Sequence, residues 1–306
     1  LPDTELAPNQ GEQATDYFNT VLYTGNNTSR SIAVGFQPDW TWIKSRSATS
    51  DHYVFDSNRG TPNKSLSTND SGTEDTTSGQ FTQFTATGFD LPADAAGYVN
   101  YNSRTYAAWN WKINGGTTST DNNGTRTSTV QASQTSGISI ATFTNTSGNF
   151  SFGHGLGSVP EMFWWKSRNN TQNWIVYHPA ETTSVPNTAG LYLNSTSGGF
   201  ATGANWLTEL SSTRIAITDG QVSSGSNINH IVYSFKSVEG FSKIGSYTGN
   251  GNADGTFVYT GFKPSLVFIK RTNTAKDWFI WDDKTSPRNP TNAYLRPNTS
   301  GVAGSY

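Results

Sequence analysis

Four histidines, His52, His154, His178 and His230, and three groups of carboxylates, Glu74-Asp75, Asp90 with Asp94 and Asp282-Asp283, carry the most reactive side chains of this chain. Hydrolysis of a glycosidic bond needs two carboxylates facing that bond, roughly 5–9.5 Å apart. Neighbouring residues of a strand point to opposite faces, so Asp282 and Asp283 cannot form such a pair unaided. The histidines show neither H-x-H nor H-E-x-x-H spacing, and each sits among aromatics or glycine, the setting of a structural ring. Gly153-His154-Gly155-Leu156-Gly157 has the glycines of a phosphate loop but lacks its Lys-Ser/Thr and the helix that follows. No Gly-x-Ser-x-Gly elbow is present. Asp121-Asn122-Asn123-Gly124 and Asn250-Gly251-Asn252-Ala253-Asp254-Gly255 offer oxygen ligands for Ca²⁺, yet neither ends on the Glu of a calcium loop. These residues assign no catalytic group, no metal ligand and no cofactor.

A different chemistry recurs three times. A Tyr/Phe-Thr start leads to Gly-x-x-Pro, then to a hydrophobic run ending in Lys: Gly35-Phe36-Gln37-Pro38 to Lys44, Gly157-Ser158-Val159-Pro160 to Lys166, and Gly261-Phe262-Lys263-Pro264 to Lys270. Eight residues on, His52, Trp174 or Trp278 opens Tyr53-Val54-Phe55-Asp56, Ile175-Val176-Tyr177-His178 and Phe279-Ile280-Trp281-Asp282. Aromatic platforms with polar donors suit a flat, neutral ligand such as a sugar, and Trp40, Trp42, Lys44, Trp164, Lys166, Trp174, Lys270 and Trp278 are the candidate residues. The competing reading makes the same tryptophans core and the lysines strand-end caps stacked on them.

The lysines stand 122 and 104 residues apart, a domain-sized period too long for a solenoid repeat. In Asp39–Lys44, Trp40, Trp42 and Lys44 share one face while Thr41 and Ile43 share the other, which predicts a central strand covered on both sides. No long segment has helical periodicity with caps. The fold class expected is all-β: tandem antiparallel β-sandwich domains, the third one incomplete.

Hydrophobic residues make up only 33% of the chain, but 13% is aromatic, so the rings must supply the core. Disorder would require a high net charge, and the formal charge is −2. A nearly neutral surface argues against nucleic acid, which needs a basic face, and against electrostatic contact with a membrane. The absence of cysteine excludes disulfides and thiolate metal sites.

Residues 1–16 are polar with two prolines and read as an arm or linker. Repeat 1 is expected over 17–114, with Asn63 to Gln80 as a long exposed loop, and repeat 2 over 137–240. Between them, 115–136 is almost wholly Gly, Ser, Thr, Asn and Gln, a linker by composition. Repeats 1 and 2 close on aromatic strands, Tyr106-Ala107-Ala108-Trp109-Asn110-Trp111-Lys112 and His230-Ile231-Val232-Tyr233-Ser234-Phe235-Lys236. Residues 241–306 form a partial repeat 3 without such a strand, and the expectation is a longer native chain or a partner that completes it.

Phe18-Asn19-Thr20-Val21-Leu22-Tyr23-Thr24-Gly25-Asn26, Val34 to Lys44, Phe55-Asp56-Ser57-Asn58-Arg59-Gly60 and Ala108-Trp109-Asn110-Trp111-Lys112 together resemble a repeat domain of bacteriophage structural proteins. The resemblance is strong over 17–113, weaker over 137–240, and returns from Lys243 to Arg271. It implies a non-enzymatic component of the virion surface, exposed to the medium, with a lectin- or jelly-roll-like form of the β-sandwich, and transfers no catalytic residue. The function expected is a tail fibre or surface appendage contributing to host attachment. Its expected contacts are other virion proteins, like copies of itself (a trimer favoured) and host-surface glycan. The alternatives are a capsid-associated head fibre or decoration protein, a glycan-depolymerising fibre and a bacterial surface adhesin.

Overall fold

The computed structural model describes residues 13–305 except 181–184, 186, 203, 219 and 221–224. The protein is all-β, and among the described residues the only helical element is a 3₁₀ turn, Ala14–Asp16.

Eight strands form the first unit: β1 (Phe18–Thr24), β2 (Arg30–Ala33), β3 (Trp40–Ser45), β4 (His52–Asp56), β5 (Leu66–Ser67), β6 (Gln83–Thr85), β7 (Gly88–Leu91) and β8 (Thr105–Trp111). They make a five-stranded sheet in the order β1-β8-β3-β4-β5 and a three-stranded sheet β2-β7-β6, with every pairing antiparallel. The sheets sandwich Ile32, Ile43, Phe55, Phe81, Phe89 and Tyr106. The last strand, β8, thus lies between the first and the third.

The second unit comprises β9 (Ser119–Asp121), β10 (Ser128–Ser133), β11 (Ile138–Asn145), β12 (Phe150–Gly153), β13 (Met162–Ser167), β14 (Ile175–Tyr177), β15 (Ala189–Tyr192), β16 (Phe200–Ala201), β17 (Leu207–Leu210), β18 (Arg214–Ile217) and β19 (Ile228–Phe235). Its sheets run β16-β15-β14-β13-β19-β11-β10-β9 and β12-β18-β17. Within them β11-β19-β13-β14-β15 repeats the order of β1-β8-β3-β4-β5. The two units have one topology.

Two expectations about loops give way here. Residues 115–136 do not form a linker: β9 and β10 lie in them and extend the second unit's sheet, with Val130 opposite Ala141. Ser and Thr suit an exposed strand face, and Val130 and Gln131 are buried, so ladder hydrogen bonds can form where composition reads as flexible. Asn63 to Gln80 is not an exposed loop either, since Ser65, Leu66, Thr68 and Gln80 are buried and β5 lies within it. Of the expected N-terminal arm, residues 1–12 lie outside the described residues; Tyr17, next to it, packs edge-on against Phe241.

The third unit contributes β20 (Leu266–Lys270), β21 (Trp278–Asp282), β22 (Ala293–Tyr294) and β23 (Gly304–Ser305). β20 pairs with β21 alone, and an isolated bridge joins Ile280 to Leu295. These correspond to β3, β4 and β5.

The repeats converge on one axis. Every residue of β3 is buried, as the two-sided pattern predicts: Ile43 faces its own sandwich, while Trp40 and Trp42 face the other units. One apolar cluster takes Trp42, Val54 and Leu66 from unit one, Trp164, Val176 and Leu191 from unit two, and Trp278, Ile280 and Leu295 from unit three. At its centre Trp42, Trp164 and Phe268, each four residues beyond the recurring Pro, form a triangle. The ring centroids are 5.7 Å apart for Trp42–Trp164, 5.4 Å for Trp164–Phe268 and 6.2 Å for Trp42–Phe268. The chain is an approximate threefold assembly made from one polypeptide.

Candidate functional site

A polar ring surrounds the aromatic centre, and each unit grips the one before it in the same way. Lys166 Nζ of unit two donates to Ser71 O of unit one at 2.8 Å, Lys270 Nζ of unit three to Thr196 O of unit two at 3.0 Å, and Lys44 Nζ of unit one to Ser300 O of unit three at 3.1 Å. The same three carbonyls accept backbone N–H groups from Gln172, Lys276 and Ser50. The indole N–H of Trp174 donates to Ser67 O and that of Trp278 to Tyr192 O, again one unit back. In each unit an asparagine side chain fixes the start of the fourth strand: Asn69, Asn194 and Asn298 accept from the backbone N–H of His52, Trp174 and Trp278. Contacts run from two to one, three to two and one to three, so the ring closes.

Burial pushes Lys44 and Lys166 down to about 8, opposed by Asp51 and Asp70 respectively. A buried amine with a lowered pKa can act as a nucleophile. Here its N–H bonds are committed to main-chain carbonyls, which also include Ser45 O for Lys44 and Gln172 O for Lys166. These lysines are rivets between units.

Of the residues proposed as a sugar platform, Trp40, Trp42, Lys44, Trp164, Lys166, Trp174 and Trp278 are all buried and Lys270 is half-buried. Stacking on a sugar needs an open ring face, and these five tryptophans give theirs to the inter-unit core. The platform therefore has no surface on which to act, and the core reading fits their positions.

The histidines are placed as acceptors. His52 Nδ1 accepts the Trp42 indole N–H at 3.0 Å, and His230 Nδ1 accepts that of Trp165 at 3.0 Å. His154 accepts from Leu156 N–H at Nδ1 and donates its Nε2–H to the Ser211 carbonyl, and His178 Nδ1 accepts from Ala180 N–H. Burial holds His52 well below its usual range and pushes His230 down to about 3, with Lys44 and Lys166 respectively adding to the effect. A neutral folded histidine beside an unfolded one that titrates near 6.5 means the unfolded chain binds more protons in acid. Stability is therefore full above about pH 6.5 and falls as the pH drops, for His230 down to about 3. Going from pH 7 to pH 5 should cost about 2 kcal/mol for His230, and His52 should act in the same direction. Denaturant midpoints across that range check it, and His230→Asn, which keeps an acceptor but does not titrate, should lose one histidine's share of the slope. A flat profile in the parent chain would contradict the assignment.

Among the described residues the carboxylates do not pair across a cleft. Asp94 accepts four backbone N–H groups, from Gly97, Tyr98, Val99 and Asn100, and Asp39 accepts four more from Ile113, Asn114, Gly115 and Gly116. Both carboxylates tie down turns. A polar cleft of about 400 Å³ lined by Asn114, Asp121, Asn122, Asn123, Val130 and Gly155 holds one carboxylate, whose Oδ1 accepts from Asn123. Among the described residues no three His, Asp or Glu side chains converge as metal ligands.

A family model described as a domain of unknown function, DUF7483, matches residues 13–305. The chain belongs to the DUF7483 family. No curated protein and no solved structure matches it. The matched stretch spans all three units, so the DUF7483 domain is the threefold body as a whole.

The strongest ionic feature of the DUF7483 domain was not legible in its sequence. Buried Arg59 binds Asp56 through Nε, Glu74 through Nη1 at 3.1 Å and Val54 O through Nη2 at 2.9 Å. Glu74 also takes a two-pronged contact from Arg168 of unit two, at 2.9 Å on each oxygen. Tyr233 of unit two donates to Asp56 Oδ2 at 2.7 Å. Burial alone would lower the Arg59 pKa, but Asp56, Tyr233 and Glu74 raise it above the usual arginine value. The same contact recurs one step round the ring, where Trp109 of unit one donates to Asp282 of unit three at 3.2 Å. Asp56, His178 and Asp282 are the aligned ends of the three fourth strands, and the recurrence of that position was the one signal that could have pointed here.

Proposed function

We propose that this protein is a non-enzymatic structural component of a bacteriophage virion, a tail fibre or surface appendage that contributes to host attachment outside the cell. The observation that supports this reading best is the use made of the titratable side chains. The buried lysines, His52, His230, Asp39, Asp56 and Asp94 are all committed to holding turns, fixing core tryptophans or joining units, as a particle component built for rigidity requires. The phage-like motifs of residues 17–113 add to it, because Trp40, Trp42, Trp109 and Trp111 in them are inter-unit core. Contacts with other virion proteins and with host glycan then fall to the outer polar loops, and a threefold body within one chain can sit on the axis of a trimeric partner.

Electron cryo-microscopy of the particle that carries this chain tests the reading. Density for the threefold body on a tail-associated appendage is the expected result. Density on the head shell would replace it with a decoration role, and density in a cellular filament with an adhesin. Release of reducing ends from host polysaccharide by the purified chain would overturn the non-enzymatic assignment.

A further inference from the structure

The three seams between units are built alike, and one departs from the pattern at a single residue. Lys166, Lys270 and Lys44 donate to Ser71 O, Thr196 O and Ser300 O, and the amides of Gln172, Lys276 and Ser50, six residues after each lysine, donate to the same carbonyls. Four residues before those carbonyls stand Ser67, Tyr192 and Arg296. The first two accept the indole N–H of Trp174 and Trp278, at 2.8 and 2.9 Å. At the third seam the indole gives way to the imidazole of His52, whose Nε2 approaches Arg296 O but makes no bond of ordinary geometry with it. This seam joins units one and three, which are not consecutive in the chain.

The other side of the imidazole fixes its tautomer. Trp42 donates its indole N–H to His52 Nδ1 at 3.0 Å, so the proton of the neutral ring sits on Nε2, toward Arg296. A second proton has no place here. On Nδ1 it would point at the Trp42 N–H, and Lys44 stands directly opposite His52 on β3. The other charged groups around the ring are Asp51 beside it in the chain, Asp282 of β21, which Trp109 binds, and Arg296, paired with Asp277 at 3.3 Å. Of these residue types only histidine ordinarily titrates between pH 5 and 7. His52 is fully buried and stacks on Trp109 of the inter-unit cluster, so opening this seam exposes it. His230 differs: it packs on Phe143, Phe150 and Trp165 inside the sandwich of unit two, where opening a seam does not reach it.

We propose that His52 is an acid-operated latch: a proton on Nδ1 breaks its bond with Trp42 and opens the seam between units one and three, while the other two seams stay shut. The closed ring of units becomes an open arc, and the parted faces carry Trp42, Trp109 and Phe268. The direction follows from linkage. Burial holds the ring of the shut seam neutral, whereas an opened one titrates near the ordinary 6.5, so opening takes up a proton. The latch is therefore fully shut above about pH 6.5 and loosens as the pH falls, by at most about tenfold per pH unit for one proton. Nothing in this device depends on where the protein acts.

Hydrogen exchange of the 306-residue chain reads the three seams separately, because the equivalent amides of Ser50, Gln172 and Lys276 each cross a different one. After correction for the intrinsic pH dependence of exchange, protection at Ser50 should fall by about tenfold or more between pH 7 and pH 5 relative to Gln172 and Lys276. His52→Asn keeps an acceptor for Trp42 but does not titrate, and in that chain the ratio should stay constant. An equal change at all three amides, an unchanged Ser50, or a selective drop that persists in folded His52→Asn would overturn the proposal. Nitrogen-15 spectra of the parent's histidine rings give a check that requires no substitution. At pH 7 His52 should carry its proton on Nε2 alone, and a proton on Nδ1 would equally overturn the latch.

Discussion

Replacing Trp42 by alanine should cost about 3–5 kcal/mol of stability, the usual range for truncating a buried tryptophan. Three separate losses meet at this side chain. Its ring is one corner of the triangle with Trp164 and Phe268, so its removal opens a cavity where all three units touch. Its indole N–H is the donor to His52 Nδ1, which would be left without that partner in a dry site. It also meets Trp109 edge-on at 5.4 Å, so the packing of the closing strand of unit one weakens as well. Trp42→Phe refills most of the volume without the donor and should fall between the parent and Trp42→Ala. Urea unfolding followed by tryptophan fluorescence measures both. A cost below about 1 kcal/mol for the alanine variant would mean that the units are held by their own sandwiches and that the axis contributes little.

Arg59→Ala should be comparably damaging, at about 3–5 kcal/mol, because it removes one partner of a buried charge network and leaves the others in place. Asp56 is 1% exposed and would retain only the Tyr233 hydroxyl and the Arg59 backbone N–H as donors. Glu74 would keep Arg168 but lose its link to the interior of unit one. A double-mutant cycle between Arg59 and Arg168 separates the inter-unit share, and a coupling indistinguishable from zero would show that Glu74 does not transmit between units. The network also has a pH signature. Burial raises the Glu74 pKa, but the hydrogen bonds and charges of Arg168 and Arg59 win and hold it below the ordinary carboxylate value. Its contribution is therefore present above the unfolded value of about 4.5 and is lost as the pH falls through the lower folded one. Salt should affect this loss little, since the pair is largely shielded from solvent.

Much of the scaffold is readable from spacing alone. Alternation along Asp39–Lys44 demands a strand buried on both faces, and the structure has one, because aromatic residues on the even positions and Thr41 and Ile43 on the odd ones leave no solvent-facing side. The repeated Lys emerges as a rivet at three interfaces, and the tryptophan eight positions later as a matching one at two of them. The asparagines that brace them do not recur at a fixed spacing. Asn69 lies 17 residues after His52, while Asn194 and Asn298 each lie 20 after their tryptophans, so a loop-length change breaks the register. Composition misled at 115–136, where Ser, Thr and Asn look flexible but β10 gains a full ladder by lying against β11.

By itself, then, the amino-acid sequence determined the all-β class, the threefold repetition and the surplus of aromatic residues over what exposed strands need. Those follow from local periodicity and from composition, which each segment carries with it. Only the tertiary structure decided that the repeats close around one axis, that the tryptophans face inward and offer no platform, and that Arg59, Glu74, Arg168 and Tyr233 act together. A strand's two faces are chemically distinguishable from its sequence, but what covers each face is a property of segments a hundred or more residues away, and no local pattern encodes which neighbour arrives.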